Sequence, residues 1–268
     1  NFADVREAVG LPVLFDEGAS LVDYDNDGDL DLYVRGGNSP PRLFRTDKGH
    51  FTDVLRAAGI DSVSLFYGDS WADVDNDGDL DLVQHRYGPA RLMLNQGDGT
   101  FERDPAFELA SSGQELSEWA DVDGDGDLDV VIGPMGKDLL VNHLDASPHF
   151  FGSHVRVRVL DAEGHETAHG ATVRLHELGG PPGTTQTRVV DGGSGYLGQN
   201  EYTVHFGVAS AASYALEVVY PSPAGSRVVV DSLVIPVLGR ITTGNVSDLA
   251  FTVYRDRPED VAEGPIGD

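Results

Sequence analysis

Aspartates at alternate positions of a nine-residue segment occur three times in the first half of the chain. The segments begin at Asp23, Asp73 and Asp121 and share the pattern Asp-x-Asp-x-Asp-Gly-Asp-Leu-Asp. Closely spaced carboxylates suit a hard cation, and Ca²⁺ accepts about six to eight oxygens at about 2.3–2.6 Å. Because Mg²⁺ requires a stricter octahedron and keeps its waters, the segments predict three Ca²⁺ sites.

The predicted ligands occupy the odd-numbered positions of each segment. Positions 1, 3, 5 and 9 would contribute side chains, and position 7 would contribute its backbone carbonyl. Glycine at position 6 fits a sharp turn at positive φ, which points that carbonyl inward. The full set is Asp23, Asp25, Asp27, Asp29, Asp31, Asp73, Asp75, Asp77, Asp79, Asp81, Asp121, Asp123, Asp125, Asp127 and Asp129.

An EF-hand loop shares part of this pattern, but it requires a glutamate at its twelfth position and a helix on each side. The twelfth residue of the three segments is Val34, Gln84 or Ile132. Apolar residues beyond each segment alternate with polar ones or run continuously, which is typical of strands. The other alternative is an acidic turn without metal, and three copies in one register disfavour it.

The composition limits the class of partner. With 268 residues, the chain can form one large domain or two smaller ones. The formal net charge is −27, and 15 of the 45 acidic residues lie in the three segments. Three bound Ca²⁺ would reduce the charge only to about −21. Nucleic acid and anionic membranes are therefore not expected as partners.

The chain contains no cysteine, so disulfides cannot stabilise it, and we interpret calcium as the element that does. Loops of this kind work where calcium is abundant, which favours a secreted, extracellular or cell-surface location, or the periplasm. The longest apolar run, residues 228–238, is interrupted by Asp231 and Pro236. We therefore expect no membrane-spanning segment.

The segments belong to a longer repeat. Asp23 and Asp73 are 50 residues apart, and Asp73 and Asp121 are 48 apart. After each segment the pattern predicts two strands and then, in the first two units, a glycine-containing hairpin that leads to a phenylalanine. Periods of this length with several short strands indicate propeller blades.

The chain begins with a copy of the end of a repeat unit. The pattern Phe-x-Asp-Val-x-x-Ala-x-Gly starts at Phe2 and again at Phe51, whereas the third unit lacks it. Propellers close with about four to eight blades, so three blades leave an edge uncovered. We expect residues 2–5 to form a strand that fills the place in the third unit. Filling it within the same chain would give an unusually small ring or an open arc capped by the second domain. A second copy, the preferred acceptor, would give a head-to-tail ring or filament.

The first half resembles the FG-GAP/VCBS repeats of integrin-like β-propellers. The resemblance rests on the three aspartate segments, the Trp-Ala-Asp sequences at Trp71 and Trp119, the hairpin at residues 95–101 and the Phe-x-Asp-Val endings. It implies calcium held within each blade. The predicted domain spans residues 1–147.

Residues 148–254 differ in composition, and their alternating apolar residues predict a β-sandwich or small barrel. This part resembles the ASPIC/UnbV domain, and the two halves together are similar to cartilage acidic protein-like bacterial proteins. The residues that carry the resemblance are Gly170-Ala171, Gln186-Thr187-Arg188, Phe206-Gly207 and Tyr220-Pro221. The family's Ser-Asn-Arg before Gly-Ala is absent, and its Trp-Pro is replaced by Tyr-Pro. Residues 255–268 predict an acidic flexible tail.

The predicted fold class is therefore all-β: three calcium-binding propeller-type blades in an incomplete ring, followed by a sandwich or barrel-like domain. The preferred function is a calcium-stabilised interaction or structural module without turnover. Its partner would be itself, another extracellular protein or a glycan.

Two enzymatic alternatives stay open. A cyclase-like or dehydratase-like propeller enzyme would use a pocket carboxylate such as Asp69 or Asp191. A zinc hydrolase would use His165-Glu166-Thr167-Ala168-His169, in which two histidines on one helical face hold zinc and the glutamate acts as general base. The glycines on either side of this motif and the strands flanking it disfavour the helix that a zinc hydrolase requires.

Overall fold

Each aspartate segment in the structure, a computed structural model of the chain, connects the first two strands of an antiparallel sheet. The structure describes residues 2–12, 18–36, 39–60, 68–85, 90–108, 116–133, 138–144, 152–161, 163–166, 168–180, 185–191, 198–209, 213–222, 225–236, 249–254 and 262–263. None of these residues forms a helix with the length and apolar character that crossing a bilayer requires.

The first half forms three propeller-like blades, as predicted. Blade 1 contains β1 (Gly18–Val22), β2 (Asp31–Gly36), β3 (Ser39–Asp47) and β4 (His50–Asp53). Blade 2 contains β5 (Ser70–Ala72), β6 (Asp81–Gln84), β7 (Arg91–Asn95) and β8 (Phe101–Glu108). Blade 3 contains β9 (Ser117–Ala120), β10 (Asp129–Ile132) and β11 (Asp138–Leu140), so among the described residues it has three strands where the others have four.

The blades pack in a row because their second strands are apolar on both faces. Leu82 and Val83 are adjacent in β6, and both are fully buried, one against blade 1 and the other against blade 3. Trp71 lies at the junction of blades 1 and 2, with its ring edge-on to Tyr33 at 5.4 Å and to Phe101 at 5.9 Å. Trp119 is buried at the junction of blades 2 and 3.

The second half is a sandwich of two four-stranded sheets, and no sheet closes into a barrel among the described residues. Its strands are β12 (Gly152–Leu160), β13 (Thr172–Glu177), β14 (Thr185–Val189), β15 (Val204–Ala209), β16 (Ser213–Ser222), β17 (Gly225–Pro236), β18 (Leu249–Tyr254) and β19 (Ala262–Glu263). One sheet has the order β15-β12-β18-β19, with β12 and β18 parallel, and the other has the order β14-β13-β16-β17. Alternate apolar residues of both sheets, such as Val157, Phe206, Leu175 and Leu216, form one core.

Two segments differ from the sequence expectation. Residues 2–5 pair with no strand among the described residues of their own chain, and pairing with a second copy stays a prediction. Ala262 and Glu263, inside the predicted flexible tail, pair with β18, and the rest of that tail lies outside the described residues.

Candidate metal centre

Carboxylate oxygens converge in each aspartate segment, which we call loop 1 (residues 23–31), loop 2 (residues 73–81) and loop 3 (residues 121–129). In every loop, three of the predicted ligands offer oxygen atoms within 4.8 Å of one another. These groups are Asp23, Asp25 and Asp27; Asp73, Asp75 and Asp81; and Asp121, Asp123 and Asp129. An exposed group in loop 3, missed by the sequence reasoning, joins Asp123 and Asp125 to His143.

Two left-handed residues shape each loop. Gly28, Gly78 and Gly126 at position 6 have φ of 93°, 98° and 88°, which confirms the predicted positive φ. Position 4 is also left-handed, with φ of 54° at Asn26 and 57° at Asn76. The sequence reasoning missed this second position, although asparagine adopts the left-handed region more often than most residues.

The position-9 aspartates tie each loop to the third strand of its own blade. In loop 2, Asp81 Oδ1 accepts a hydrogen bond from the backbone N–H of Asn95 at 2.8 Å, and Oδ2 accepts one from Val74 at 3.0 Å. Asp129 makes the same pair of bonds in loop 3, at 2.7 Å from Asn142 and 2.8 Å from Val122. The carboxylate is therefore held in place before any ligand arrives.

Asparagine side chains link consecutive loops. Asn26 Nδ2 donates to Asp79 Oδ1 at 2.6 Å, and Asn76 Nδ2 donates to Asp127 Oδ1 at 2.9 Å. The position-7 side chains of loops 2 and 3 are thus engaged between loops, which leaves their backbone carbonyls as the group to face a cation. Loop 3 has Gly124 at position 4 and cannot make such a link.

The sandwich covers the loops. The backbone N–H of Gly207 donates to Asp73 Oδ2 at 2.7 Å, and that of Thr185 donates to the carbonyl of Asn26 at 3.0 Å. Over loop 3, Arg156 Nη1 lies 3.0 Å from Asp121 Oδ2, and His205 Nε2 lies 3.1 Å from the carbonyl of Gly126. Strands β12, β14 and β15 therefore close over the acidic loops.

One arginine of the sandwich lies near carboxylates of two loops. Arg188 is buried, its guanidinium lies 5.4 Å from the centre of the Phe206 ring, and Nη2 donates to the carbonyl of Gly78 at 3.3 Å. Its positive charge acts on Asp23 of loop 1 and on Asp73 and Asp79 of loop 2. The residue supplies part of the charge compensation that these buried carboxylates need.

Burial disfavours the charged form of several carboxylates in loops 1 and 2. It raises the pKa of Asp23 to about 7 and the pKa of both Asp31 and Asp73 to about 8. Burial, followed by the charges of Asp75 and Asp73, raises the pKa of Asp81 well above its ordinary value. One arginine cannot compensate all of these groups, so the site favours either protons or a cation of higher charge.

Several buried oxygens have no hydrogen-bond donor. They include Oδ1 of Asp25 in loop 1 and Oδ1 of Asp73 and Asp75 in loop 2. Unsatisfied buried acceptors are rare in folded proteins and indicate a missing partner such as an ion. A cluster made only of oxygen ligands fits a hard cation, so the residues present fit Ca²⁺.

Family models match both halves of the chain. Two overlapping matches to the FG-GAP-like repeat cover residues 23–84 and 73–132, and a match to ASPIC and UnbV covers residues 161–236. The chain carries FG-GAP-like repeats followed by an ASPIC and UnbV domain. The interface described above is therefore one between the FG-GAP loops and the UnbV domain. FG-GAP repeats are typical of extracellular proteins.

Similarity beyond these models is weak. A Tc holotoxin pore structure from Photorhabdus luminescens aligns with 78% of this chain at 19% identity, with a TM-score of 0.27. The chain spans 8% of the length of that protein. Such a TM-score carries no argument about fold or function. No curated protein matches the chain.

Asp69, a candidate acid of the enzyme alternative, lies directly before β5 of the FG-GAP repeats, and its carboxylate is engaged by neighbouring groups. It forms a buried ion pair with Arg35 Nη1, and it accepts hydrogen bonds from Tyr33 Oη at 2.5 Å and the backbone N–H of His85 at 2.7 Å. The group joins blade 1 to blade 2. Asp69 and Asp191 both line a 340 Å³ cavity between the blades and the UnbV domain.

The His-Glu motif of the UnbV domain forms turns at its described positions, and Thr167 lies outside them. Glu166 accepts a hydrogen bond from Arg158 Nε, and His165 lies 3.5 Å from Asp161. His169 contacts the ring of Tyr202 instead. Since the described residues provide no helix to align the two histidines, the zinc hydrolase alternative has no support.

A first prediction concerns the close approach of the UnbV domain to loop 2. A Cβ at Gly207 would overlap the backbone of Asn76 and the carboxylate of Asp73. We expect Gly207→Ala to separate the two halves, so that calorimetry shows two unfolding transitions and protease cleavage between them accelerates. Gly180→Ala is the matched control, because a Cβ there meets only the side chain of Glu177. A single unchanged transition in Gly207→Ala would contradict the described interface.

A second prediction concerns the buried pair between blades. The side chains of Arg35 and Asp69 are 3% and 1% exposed. Arg35→Met leaves an uncompensated buried carboxylate and should lower the free energy of unfolding by about 3–5 kcal/mol. Adding Asp69→Asn should recover part of the loss, because the amide is uncharged and still accepts from Tyr33. Urea unfolding followed by tryptophan fluorescence measures both. Equal stability of the single and double variants would show that the ion pair is not the cause.

Proposed function

We propose that the chain is a calcium-stabilised interaction module of secreted, cell-surface or periplasmic proteins. Three Ca²⁺, one in each FG-GAP loop, would hold the blades and the UnbV domain in one arrangement. The observation that carries the proposal is the convergence of carboxylate oxygens in every loop, several of which, in loops 1 and 2, are buried without donors.

The side chains proposed to hold the ions are the position-1, 3, 5 and 9 aspartates of each loop, with the position-7 carbonyl as a further ligand. Ca²⁺ would supply charge compensation and structural cross-linking there. In its absence, repulsion among the carboxylates of a loop opposes the turn. A chain with no cysteine and a net charge of −27 has no disulfide to oppose that repulsion.

Binding without turnover is the function that the remaining surface supports. Of the two carboxylates of the enzyme alternative, Asp69 is engaged by Arg35, and Asp191 lines a cavity between the two domains. The partner class we propose is a second copy of this chain, and another extracellular protein or a glycan is the broader possibility within the same function.

A third prediction tests the ions directly. Isothermal titration calorimetry of the metal-free chain should give three bound Ca²⁺, and Asp25→Asn, Asp75→Asn and Asp123→Asn should each remove one. A site filled at about a hundred times its Kd adds about 2.7 kcal/mol to the free energy of unfolding, so chelation should lower Tm strongly. Asp47→Asn, an exposed position outside the loops, is the control. An unchanged Tm after chelation would contradict the proposal.

A fourth prediction follows from the raised pKa values of Asp23, Asp31 and Asp73, which are about 7, 8 and 8. At pH 7 the metal-free loops hold protons that Ca²⁺ must displace, so binding should release protons. Titrations in PIPES and in Tris at pH 7 should therefore give different enthalpies. A folded-state pKa above the unfolded value also means that the metal-free fold loses stability as pH rises from about 4 to about 8. Equal enthalpies in both buffers would contradict the displacement of protons.

A further inference from the structure

The asparagine at position 4 of loop 1 reaches across to loop 2. Asn26 Nδ2 lies 2.6 Å from Oδ1 of Asp79 and 3.2 Å from the carbonyl oxygen of Gly78. Because a carbonyl and an ionised carboxylate only accept hydrogen bonds, the NH₂ end of the amide must face them. One side chain of loop 1 therefore contacts positions 6 and 7 of the following loop.

Loop 2 repeats this arrangement toward loop 3. Asn76 Nδ2 lies 2.9 Å from Oδ1 of Asp127 and 3.5 Å from the carbonyl oxygen of Gly126. Asn76 is 1% exposed, and its φ of 57° matches the 54° of Asn26. The same residue type, in the same left-handed conformation, thus engages the same two positions of the next loop in both cases.

The two positions that receive the link belong to the proposed ion site. Position 7 supplies the backbone carbonyl among the proposed ligands, and the N–H of position 6 holds the carboxylate of position 1. The N–H of Gly78 donates to Asp73 Oδ2 at 3.1 Å, and that of Gly126 donates to Asp121 Oδ2 at 3.2 Å. An asparagine of one loop therefore restrains the segment that orders two proposed ligands of the next loop.

Each linking asparagine also lies between two proposed ligands of its own loop. Asn76 follows Asp75 and precedes Asp77, and Asn26 has the same place in loop 1. A cation held by positions 3 and 5 fixes the backbone of the residue between them, and with it the direction in which the amide leaves the loop. Without the cation, repulsion among the carboxylates opposes this turn, so the amide loses its fixed position. The occupancy of one loop therefore changes how well the next loop is ordered.

We propose that Asn26 and Asn76 are positioning residues that couple Ca²⁺ binding in consecutive loops. A filled loop 1 raises the Ca²⁺ affinity of loop 2 through Asn26, and a filled loop 2 raises that of loop 3 through Asn76. Because coupling free energies are reciprocal, a filled loop also raises the affinity of the loop before it. This inference rests on the proposed calcium function and adds the way in which its sites act together.

The sign of the coupling distinguishes ordering from electrostatics. Two divalent ions repel each other, so charge alone would make binding in neighbouring loops independent or mutually weakening. Positive coupling requires a connection through which a filled loop orders its neighbour. The amides of Asn26 and Asn76 supply that connection, since each contacts the segment of the next loop that carries proposed ligands.

Glycine is the substitution that removes the amide and keeps the turn. It adopts positive φ without strain, and loop 3 already has Gly124 at position 4 with a φ of 77°. Asn26→Gly and Asn76→Gly therefore preserve the left-handed backbone. The two variants are matched controls for each other, since each removes one link and leaves the other.

A thermodynamic cycle separates coupling from a merely structural role. Ca²⁺ is titrated into the metal-free chain with isotope-labelled glycine, and the NMR signal of the Gly126 amide reports loop 3. Asp75→Asn, which empties loop 2, should lower the affinity of loop 3 by about five-fold or more in the chain that keeps Asn76. In the Asn76→Gly background the same change should alter that affinity by less than about two-fold. An amide that only stabilised loop 3 would leave the effect of Asp75→Asn equal in both backgrounds.

The link from loop 1 is tested in the same way, which keeps the proposal testable if Asn76→Gly does not fold. Asp25→Asn should lower the affinity of loop 2, reported by the Gly78 amide, by about five-fold or more. Asn26→Gly should abolish this effect and leave the coupling of loops 2 and 3 unchanged.

Two results would overturn the coupling. One is a loop affinity that ignores the occupancy of the neighbouring loop, and the other is coupling that persists in both glycine variants. In either case the unmodified chain would still bind three Ca²⁺, so this failure is distinct from failure of the calcium proposal. An unmodified chain that binds no Ca²⁺ would overturn both.

Discussion

The repulsion among buried carboxylates is the constraint on which the rest of the structure depends. Loops 1 and 2 each place several aspartates in a space where burial raises their pKa values. Neutral donors and a buried arginine stabilise these carboxylates. Backbone N–H groups donate to the position-9 carboxylates, and asparagine side chains donate from one loop to the next. The charge of Arg188 acts on carboxylates of loops 1 and 2. The oxygens that remain without donors define where a cation fits.

This constraint joins the two halves of the chain. Asp73 accepts hydrogen bonds both from Gly78 within its own loop and from Gly207 in the UnbV domain. Ordering the loop and docking the domain therefore favour each other, and the coupling free energy must be the same in both directions. A change that disorders loop 2 is therefore expected to weaken the contact with the UnbV domain as well.

The sequence predicted the features that are encoded by local spacing. Alternating aspartates with glycine at position 6 define the loop backbone, and a period of two defines the strands on either side, so blades and sandwich could both be predicted. The cover over the loops could not be predicted, because Gly207 and Asp73 are 134 positions apart and nothing in either neighbourhood indicates the other. The same holds for Arg35 and Asp69, whose pairing requires two blades to meet.

Asn26 and Asn76 were visible in the repeat but looked like ordinary turn residues. Residues 2–5 carry a strand motif without a strand, because ladder formation needs a neighbour.

The parallel pairing of β12 with β18 has a consequence for how the molecule is made. Strand β12 lies between β15 and β18, so the sheet that covers the loops cannot be completed until Tyr254 has been synthesised. Pairings between such distant segments form slowly. The strands that contact the loops, β12, β14 and β15, end only at Ala209, so all three loops are synthesised well before their cover is complete. If Ca²⁺ binds as proposed, its exchange from loops 1 and 2 in the finished molecule would depend on the rate at which the sandwich lifts, whereas loop 3, whose Asp123 and Asp125 are exposed, would exchange without that step.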